Sequence, residues 1–520
     1  MRVVSGPTDR VVIVGAGLGG LSAALRLAGA GRSVTVLERD GLPGGRAGLL
    51  ELGGYRFDTG PTVLTMPELI EDALAAVGEK LGDWLTLHRL DPAYRAVFAD
   101  GSSLDVRADA EATAQGIEDL CGPAEAAGYL RFVSWVSELY RAEITHFIDA
   151  PVDSPLAMMR PALARLAALG AFRRLDPAVG RYLKDPRTRR LFTFQALYAG
   201  LAPSQALAVY AVIAYMDSVA GVYYPIGGMH AVPSAMAAAA AKHGVTFRYG
   251  TTASAVETKA GRAVAVRTST GERVPADVVI LNPDLPTAYR DLLPGEFAPR
   301  RLRRLRYSPS CFLLLAGSRA PNPTGAHHTI HFGEAWERTF AELVERGALM
   351  TDPSFLVTDP AVTDPTAAPP GAHSYYTLFP TPNLSAPLDW SVIGPRYRDE
   401  AVAALDARGY RDAHAGFAAG IEVETTVTPA DWKARGMAAG TPFAAAHTFA
   451  QTGPFRPGDM VPGLENVVFA GSGTRPGVGV PMVLISGRLA ALRVTGPDRS
   501  YRSRARPAIP RRTPGPGQSA

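Results

Sequence analysis

The sequence predicts an α/β protein in which one parallel-sheet domain is assembled from distant parts of the chain. Two glycine-rich segments near the ends of the 520 residues carry this prediction: VVIVGAGLGGLSAALRLAGAGRSVTVLERD begins at Val11, and NVVFAGSGTRPGVGVPMVLISGRLAA begins at Asn466. Each reads as a short apolar strand, a glycine-rich turn and a helix, a unit typical of dinucleotide binding. We therefore expect both ends of the chain to meet at one cofactor.

The front segment has the pattern of a Rossmann-type turn. Val11 to Val14 form an apolar strand, and Gly15, Gly17 and Gly20 then open a helix. The first glycine permits the tight turn, the second lets the backbone approach a pyrophosphate, and the third allows helix and strand to pack closely. Glu38 ends the next strand, 18 residues after Gly20. At that distance a carboxylate can bind an adenosine ribose.

The residues that follow Glu38 favour FAD over NAD. The front segment alone is compatible with either cofactor, but the runs PGGRA from Pro43 and GGYRFDTGP from Gly53 add two further glycine sites. Glycines there let the backbone approach a longer cofactor closely. Arg46 lies in the first run and is placed to meet the diphosphate. A solvated loop residue would explain the same arginine.

The composition indicates a globular protein of two or three domains. Hydrophobic residues make up 47% and charged residues 20% of the chain, which is ordinary for a folded protein. The two cysteines, Cys121 and Cys311, exclude a disulfide framework and a thiolate metal cluster. The first apolar run, Val11 to Val14, is too short for a signal peptide. We expect a cytoplasmic protein without a bound metal.

The net charge of +4 belongs mainly to the C-terminal tail. Residues 497–520 contain six arginines and one aspartate, so the rest of the chain is close to neutral. The tail is rich in Pro, Arg, Ser and Gly, a composition typical of disorder. Basic and aromatic residues are not interleaved as in nucleic-acid platforms. We therefore expect no nucleic-acid partner.

The order of patterns along the chain predicts the domain organisation. A Rossmann-type FAD-binding domain is assembled from discontinuous segments. It is joined by an α+β substrate domain with a mixed sheet and by a helical, membrane-facing subdomain. The expected boundaries are 1–105, 223–285 and 453–496 for the FAD-binding domain, 106–222 for the helical region, 286–452 for the substrate-domain sheet, and 497–520 for a disordered tail.

The helical region contains an apolar stripe and a basic segment. Residues from Tyr129 to Phe147 repeat apolar side chains at spacings of three and four, as on an amphipathic helix. The segment Met158–Arg190 combines nine basic residues with apolar ones, and Arg300–Arg306 forms a second basic cluster. A basic amphipathic helix can lie in an anionic membrane surface. A solvated helix face would have the same composition.

The back segment predicts a second approach to the cofactor. Val467 to Ala470 read as a buried strand, Gly471 to Thr474 as a turn, and Pro481 as the first residue of a helix. A helix N-terminus aimed at a flavin pyrimidine would stabilise the negative charge that develops there on reduction.

Together these motifs resemble the bacterial carotenoid desaturases of the phytoene desaturase type, in the flavin amine oxidase and glutathione reductase-like superfamily. The matching motifs are VGAGLGGLSAA, Glu38 with PGGRA, FDTGPTVLTMP, YPIGGM, QTGPFRP and FAGSGTRPGVGVPMVLISGRLAA. The resemblance implies noncovalent FAD and the dehydrogenation of an apolar C40 polyene, such as phytoene towards lycopene, by hydride transfer to flavin N5. It also implies peripheral attachment to a membrane surface. The electron acceptor would be oxygen or a quinone.

The resemblance further implies which residues hold FAD. Those expected at the adenosine and diphosphate are Gly15, Gly17, Gly20, Glu38 and Arg46, those at the flavin ring are Gly60, Pro61 and Thr62, and those at the ribityl and pyrimidine end are Gly473, Thr474, Val480, Pro481 and Met482. Arg39, Gly45 and Gly471 complete the expected site. Two positions depart from the family pattern. Ala253 replaces a valine whose backbone contacts adenine, and Arg475 replaces a histidine.

The proton acceptor and the exact activity stay open. His447, Gln451 and Arg456, in AHTFAQTGPFRP, are polar candidates near the flavin. Hydrogen bonds that hold the loop would explain the same residues. Alternative functions are a hydroxycarotenoid dehydrogenase, a ketolase-like enzyme, a carotenoid isomerase and a non-enzymatic prenyl-lipid carrier. An amine oxidase is disfavoured because the sequence has no clear flavin-linking cysteine or aromatic amine cage.

Overall fold

The computed structural model of the protein describes residues 1–151, 153, 161–411 and 415–497. The predicted disordered tail, apart from Pro497, and the first residues of the predicted basic helix, 158–160, lie outside this described part.

The described residues form both strands and helices. The strands are β1 Arg10–Val14, β2 Ser33–Leu37, β3 Leu49–Leu52, β4 Tyr55–Asp58, β5 Leu87–Arg89, β6 Tyr94–Val97, β7 Ser103–Val106, β8 Tyr223–Pro225, β9 Thr246–Arg248, β10 Ala253–Lys259, β11 Arg262–Thr268, β12 Arg273–Pro275, β13 Val278–Leu281, β14 Ser310–Ser318, β15 His328–His331, β16 Phe355–Thr358, β17 His373–Thr381, β18 Ile421–Val427 and β19 Val467–Phe469. The helices are α1 Leu18–Gly29, α2 Glu68–Ala75, α3 Ala110–Cys121, α4 Pro123–Glu143, α5 Pro161–Ala168, α6 Leu175–Val179, α7 Pro186–Leu191, α8 Val212–Ser218, α9 Ala231–Lys242, α10 Leu285–Asp291, α11 Trp336–Phe340, α12 Trp390–Ala407, α13 Pro429–Ala434 and α14 Val480–Thr495.

A five-stranded parallel sheet, in the order β19-β13-β1-β2-β9, gathers strands from three separate parts of the chain. Both of its faces are covered, which explains why β1 is apolar throughout. Val11 and Ile13 pack in the cluster that contains residues of α1, α9 and α14. Val12 and Val14 pack on the other side, with residues of the antiparallel meander β10-β11-β12. The sheet is therefore the centre of a three-layer α/β domain.

The two ends of the chain meet where α1 crosses α14. A Cβ atom on Gly487 would lie 2.2 Å from the carbonyl oxygen of Gly19. The two helices can therefore pack this closely only because Gly487 has no side chain. The Ser22 hydroxyl donates to the Leu484 carbonyl across the same contact, at 2.8 Å. The expectation that the two glycine-rich segments come together is confirmed.

A second, mixed sheet has the strand order β18-β14-β17-β16-β15-β6-β7. Most of its neighbours are antiparallel, but β15 and β6 are parallel, with Ile330 opposite Ala96. The predicted boundary at residue 105 is therefore wrong in one respect, because β6 and β7 belong to this sheet. Such pairing between distant strands leaves little trace in local sequence.

The helical region begins as the sequence predicts and then departs from the prediction. The stripe on α4 is buried, with Tyr129, Phe132, Val136 and Leu139 all at 0% exposure. The basic segment that follows is not one amphipathic helix. Its described residues form three short helices, α5, α6 and α7. Among the described residues, no helix combines the length and apolar character needed to cross a membrane.

The basic segment is interrupted for local reasons. Gly170 lies shortly after α5 and has a φ of +78°, which is not a helical conformation. Pro186 is the first residue of α7, and a proline cannot lie in the interior of a longer helix without breaking it. Several of its charges are also paired: Arg189 with Asp176 at 2.7 Å, for example. Composition alone could not separate these paired arginines from solvated ones.

Candidate active site

The front glycine turn has the geometry of a phosphate cradle. Gly15 has φ of +98°, and its N–H donates to the Leu37 carbonyl at 2.8 Å. A Cβ atom on Gly20 would lie 2.3 Å from the Gly15 carbonyl oxygen, so α1 and the turn can touch only without a side chain there. The helix begins at Leu18, beside Gly17, and both line a large cavity. The first N–H groups of a helix lack intrahelical acceptors and attract anions.

Glu38 lies at the end of β2 and lines the same cavity. Its carboxylate is 5% exposed and accepts hydrogen bonds from the backbone N–H groups of Ala16, at 2.7 Å, and Asp40, at 3.0 Å. Burial raises the pKa of Glu38, and these backbone hydrogen bonds oppose the shift. Arg39 and Ala253 line the cavity beside it. The structure thus groups the residues predicted to contact adenosine.

Arg46 joins the front loop to the back segment. Its guanidinium donates to the carboxylate of Asp284, at 3.0 Å, and to the hydroxyl of Ser472. Asp284 also accepts from the Ala438 N–H at 3.1 Å. Hydrogen bonds therefore hold the Arg46 side chain in place, and it is not a solvated loop residue. It lines the cavity next to Gly45, so contact with a diphosphate stays its predicted role.

The segment predicted to approach the flavin ring is fastened to the second sheet. A Cβ atom on Gly60 would lie 2.0 Å from the Arg46 carbonyl oxygen. The Tyr376 hydroxyl donates to the Gly60 carbonyl at 2.8 Å, and the Thr358 hydroxyl lies 3.3 Å from that of Thr62. Gly60, Thr62 and the neighbouring Pro61 all line the cavity.

The back segment reaches the cavity through the start of α14. The helix begins at Val480, with Gly479 as its N-cap, so Pro481 is its second residue and not its first. Val480, Pro481 and Met482 line the cavity, as does Gly471 in the preceding turn. The N-terminus of α14 can therefore face a bound cofactor.

Two residues predicted in the back turn do not line the cavity. Thr474 is fully buried, and its hydroxyl donates to the Pro457 carbonyl at 3.0 Å. A Cβ atom on Gly473 would lie 2.5 Å from Cβ of Leu285. Both residues shape the turn from behind the cavity wall, and their contact with the ribityl and pyrimidine end stays a prediction.

Arg456 holds the back turn by hydrogen bonds. Its side chain is 1% exposed and donates to the carbonyls of Thr474 at 3.0 Å, Ser472 at 2.7 Å and Ala445 at 3.3 Å. Burial lowers its pKa to about 10. All these acceptors are backbone atoms, so the structure assigns Arg456 a role in folding the turn. A part for Arg456 in proton transfer stays a prediction that these contacts do not favour.

Gln451 has the same kind of role. Its amide donates to the carbonyls of Ala446 at 2.8 Å and Arg306 at 2.9 Å, and its oxygen accepts from the Arg306 N–H at 2.8 Å. It does not line the cavity, in contrast to His447. The hydrogen-bonding interpretation of these two residues is the one that the structure supports.

His447 is the one catalytic candidate of the sequence that lines the cavity. Burial lowers the pKa of its imidazole well below the usual value, so the ring is neutral. The ring packs edge-on against Tyr210, with centroids 5.5 Å apart, and would block any side chain at Gly477. His447 therefore adds to the wall of the site without a charge.

The cavity has a volume of about 1970 Å³ and two distinct ends. One end is the glycine-rich cradle. The other is an apolar chamber between the helical region and the second sheet, and its wall includes Phe147, Leu166, Leu207, Ile213, Leu315 and Leu378. Ligand pockets usually measure roughly 300–1,000 Å³. This cavity therefore has room for a cofactor and a second large molecule.

The chamber also contains two carboxyl groups that the sequence analysis missed. Glu143 ends α4 and Asp217 lies near the end of α8, and both line the cavity while being less than a tenth exposed. Glu143 belongs to a helix whose apolar stripe reads as core, and Asp217 follows the apolar run Ala206–Met216. The sequence does place each acidic residue beside an apolar run. That position does not show whether the carboxyl group points into a cavity or into solvent.

The residues of the cradle fit FAD. The glycines permit backbone approach where a side chain would collide, and two helix N-termini, of α1 and α14, border one cavity. Such N-termini bind the diphosphate and the electron-rich end of a flavin. Glu38 offers a carboxylate for a ribose hydroxyl.

Comparison with known proteins supports a flavin cofactor. The flavin containing amine oxidoreductase family matches residues 18–495. A phytoene dehydrogenase of Streptomyces griseus is 56% identical over 510 residues, which cover 98% of this chain and 99% of the relative. A zeta-carotene-forming phytoene desaturase of Myxococcus xanthus is 38% identical and covers 93% of both chains. A solved putrescine oxidase shares the fold, with a TM-score of 0.59 at 17% identity over 93% of this chain and 99% of that one.

Proposed function

The chain belongs to the flavin containing amine oxidoreductases and, among them, to the carotenoid desaturases of the phytoene desaturase type, and from this premise we propose that it desaturates a C40 carotenoid precursor such as phytoene, towards lycopene, with FAD as cofactor. One observation carries the proposal: the glycine-rich cradle opens directly into the apolar chamber of the same cavity. The alternative carotenoid activities and the lipid carrier fit less well, because these relatives are named as a phytoene dehydrogenase and a phytoene desaturase.

The chamber suits a substrate without ionisable groups. A hydrocarbon chain is bound by removing its surface from water, at about 25 cal/mol for each Å² buried. The chamber is lined by side chains of the second sheet, such as Leu315 and Leu378, and by side chains of α8, such as Ile213 and Met216. These walls exclude water and hold a C–C bond in place beside the cradle.

The protein supplies position and electrostatics for the reaction. FAD, when bound, provides hydride acceptance, which is the chemistry of its ring. The N-terminus of α14, at Val480 and Pro481, is positioned to stabilise negative charge at the pyrimidine end. His447 stays neutral at the wall, so it adds no competing cation.

The first test uses the whole protein with FAD and phytoene in liposomes. We expect the purified protein to show a flavin absorption spectrum, and phytoene to bleach that spectrum without oxygen while products with longer conjugation appear by chromatography. Squalene, a shorter polyene, serves as the control substrate and should bleach the flavin more slowly. A protein that shows no flavin spectrum after FAD addition, or that leaves phytoene unchanged, would contradict the proposal.

We further propose that the chamber opens towards a membrane surface, from which an apolar substrate enters. Phe449 is 65% and Phe455 45% exposed, their rings lie 5.8 Å apart, and both line the cavity. Phe172, also at the cavity and 43% exposed, precedes Arg173 and Arg174. Exposed aromatic and basic side chains of this kind bind an anionic lipid interface. Oxygen or a membrane quinone would then serve as the electron acceptor.

A variant of the mouth tests this attachment. The double variant F449S/F455S should bind vesicles of phosphatidylcholine and phosphatidylglycerol at least about tenfold more weakly. Burying one phenyl ring in the lipid stabilises binding by roughly 1.5–3 kcal/mol. Co-sedimentation measures the effect. The matched control is V392S, which changes a 70% exposed apolar residue on α12 and should bind as the unchanged protein does. Equal binding by F449S/F455S and V392S would refute the proposed orientation.

A further inference from the structure

Two carboxyl groups in the chamber, Asp217 and Glu143, have no part in the roles described above. They are 6% and 4% exposed, and both line the apolar chamber. Burying such groups without full hydrogen bonding costs free energy. We propose that Asp217 is the catalytic residue that accepts the proton in desaturation, an inference that rests on the proposed function.

Asp217 lines the same cavity as the segment predicted to approach the flavin ring. Burial raises the pKa values of Tyr94 and Tyr198, and the charge of Asp217 adds to both shifts, so these hydroxyls are its neighbours. The pKa of Tyr376 is raised mainly by burial, and the charge of Tyr198 is among the smaller causes. Tyr376 donates to the Gly60 carbonyl at 2.8 Å. Asp217 thus lines one cavity together with Tyr198, Tyr376 and Gly60.

The two oxygens of Asp217 have different surroundings. The Gln195 amide lies 3.4 Å from Oδ2 and holds that side of the carboxyl. Oδ1 has no hydrogen-bond partner among the described residues, and Asp217 lines the chamber. One oxygen is therefore held by Gln195, and the other is a buried acceptor without a hydrogen-bond partner. Burial raises the pKa of Asp217 to about 8, which suits a base that works near neutral pH.

Glu143 lacks this arrangement, and we assign it no role in the reaction. Its Oε1 has no hydrogen-bond partner in the described part of the chain. Burial raises its pKa well above the usual value, which favours the protonated form of the carboxyl. It offers a matched control for Asp217: a second buried carboxyl at the same cavity.

The proposed step balances as follows in atoms and electrons. One C–H bond of the polyene precursor breaks, and its electron pair leaves as hydride to the bound FAD. The neighbouring C–H bond gives its proton to Oδ1 of Asp217, and the electron pair of that bond becomes the new C=C bond. The substrate is oxidised by two electrons, FAD is reduced by the same two electrons, and the carboxylate becomes a neutral acid. Oxygen or quinone reoxidises FAD, and the acid returns its proton to water after product leaves.

The test compares D217N with E143Q, each loaded with FAD and mixed without oxygen with phytoene in liposomes. D217N should slow flavin bleaching about 100-fold or more, the usual effect of losing a general base. E143Q should slow it by no more than about threefold, well below that range. Flavin fluorescence should give FAD affinities within about twofold of the unchanged protein for both variants, because neither side chain lies in the cradle.

The pH dependence provides a second measurement on the unchanged protein. A base acts only when deprotonated, so bleaching should speed up as pH rises through about 8 and then level off. Tyr94, Tyr129 and Tyr198 face Asp217 from the neighbouring elements, and burial raises the pKa of each above its ordinary value, so they stay neutral in this range. D217N should lose this rise in rate.

Three results would overturn the inference: bleaching by D217N within about threefold of the unchanged protein, equal losses in D217N and E143Q, or a flat pH profile of the unchanged protein. The pH profile decides the question even where D217N fails to fold. If the unchanged protein does not bleach with phytoene at all, the proposed function itself fails. The two failures are thus distinguishable.

Discussion

Replacing Gly20 with valine is expected to weaken FAD binding by at least about 100-fold, or roughly 2.7 kcal/mol. Even a Cβ atom there would lie 2.3 Å from the Gly15 carbonyl oxygen, and valine adds two methyl groups. Overpacking of this kind typically costs about 1–3 kcal/mol and occasionally more. The strain separates α1 from the turn and displaces the N–H groups that hold the diphosphate. Titration of the apoprotein with FAD, followed by flavin fluorescence, measures the loss.

The matched control for this variant is Gly82→Val. Gly82 is exposed, and no atom lies within 4 Å of where its Cβ would be. It should bind FAD as the unchanged protein does, within about twofold, because it leaves the cradle intact. Comparable FAD affinities for the two variants would show that close contact between α1 and the turn is not required for the cofactor.

Arg456→Met is expected to destabilise the protein by about 3 kcal/mol or more and to weaken FAD binding. The variant removes hydrogen bonds to the carbonyls of Thr474, Ser472 and Ala445, which are then left unpaired in a buried turn. Losing a buried partner costs about 1–3 kcal/mol for each group that stays unsatisfied. Thermal unfolding of the apoprotein and FAD titration measure the two effects.

The same variant separates a folding role from a catalytic one. If Arg456 holds the turn, saturating FAD should restore the bleaching rate with phytoene to within about tenfold of the unchanged protein, because the reacting groups are intact. Arg304→Met, on an exposed 3-10 helix, controls for the loss of charge. A rate that stays about 100-fold lower at saturating FAD, with unchanged stability, would return Arg456 to the catalytic candidates.

The cofactor cradle could be predicted residue by residue because its signals are local. Gly15, Gly17 and Gly20 lie within one turn and the start of one helix, and the constraints on them come from atoms a few residues away. Glu38 follows from the length of one helix and one strand. The apolar stripe on α4 was likewise readable, because helical periodicity depends on neighbours at three and four positions.

Other parts of the site could not be predicted in this way. Arg456 and Gln451 looked like polar candidates beside a flavin loop, and their roles became clear only from the carbonyls to which they donate. The basic segment looked like one helix, but Gly170 and Pro186 divide it and acidic residues elsewhere pair with its charges. The composition of a segment gives the number of its charges but does not show which of them form ion pairs with residues elsewhere in the chain.

The sequence by itself determined the α/β class, the dinucleotide cradle and the meeting of both chain ends, because glycine spacing and strand–turn–helix patterns are imposed by backbone geometry over short distances. Only the tertiary structure decided that β6 and β7 join the second sheet and that Asp217 faces an apolar chamber beside Tyr198. The physical reason is that strand pairing and side-chain direction depend on residues that lie far apart in the chain and meet only when it is folded.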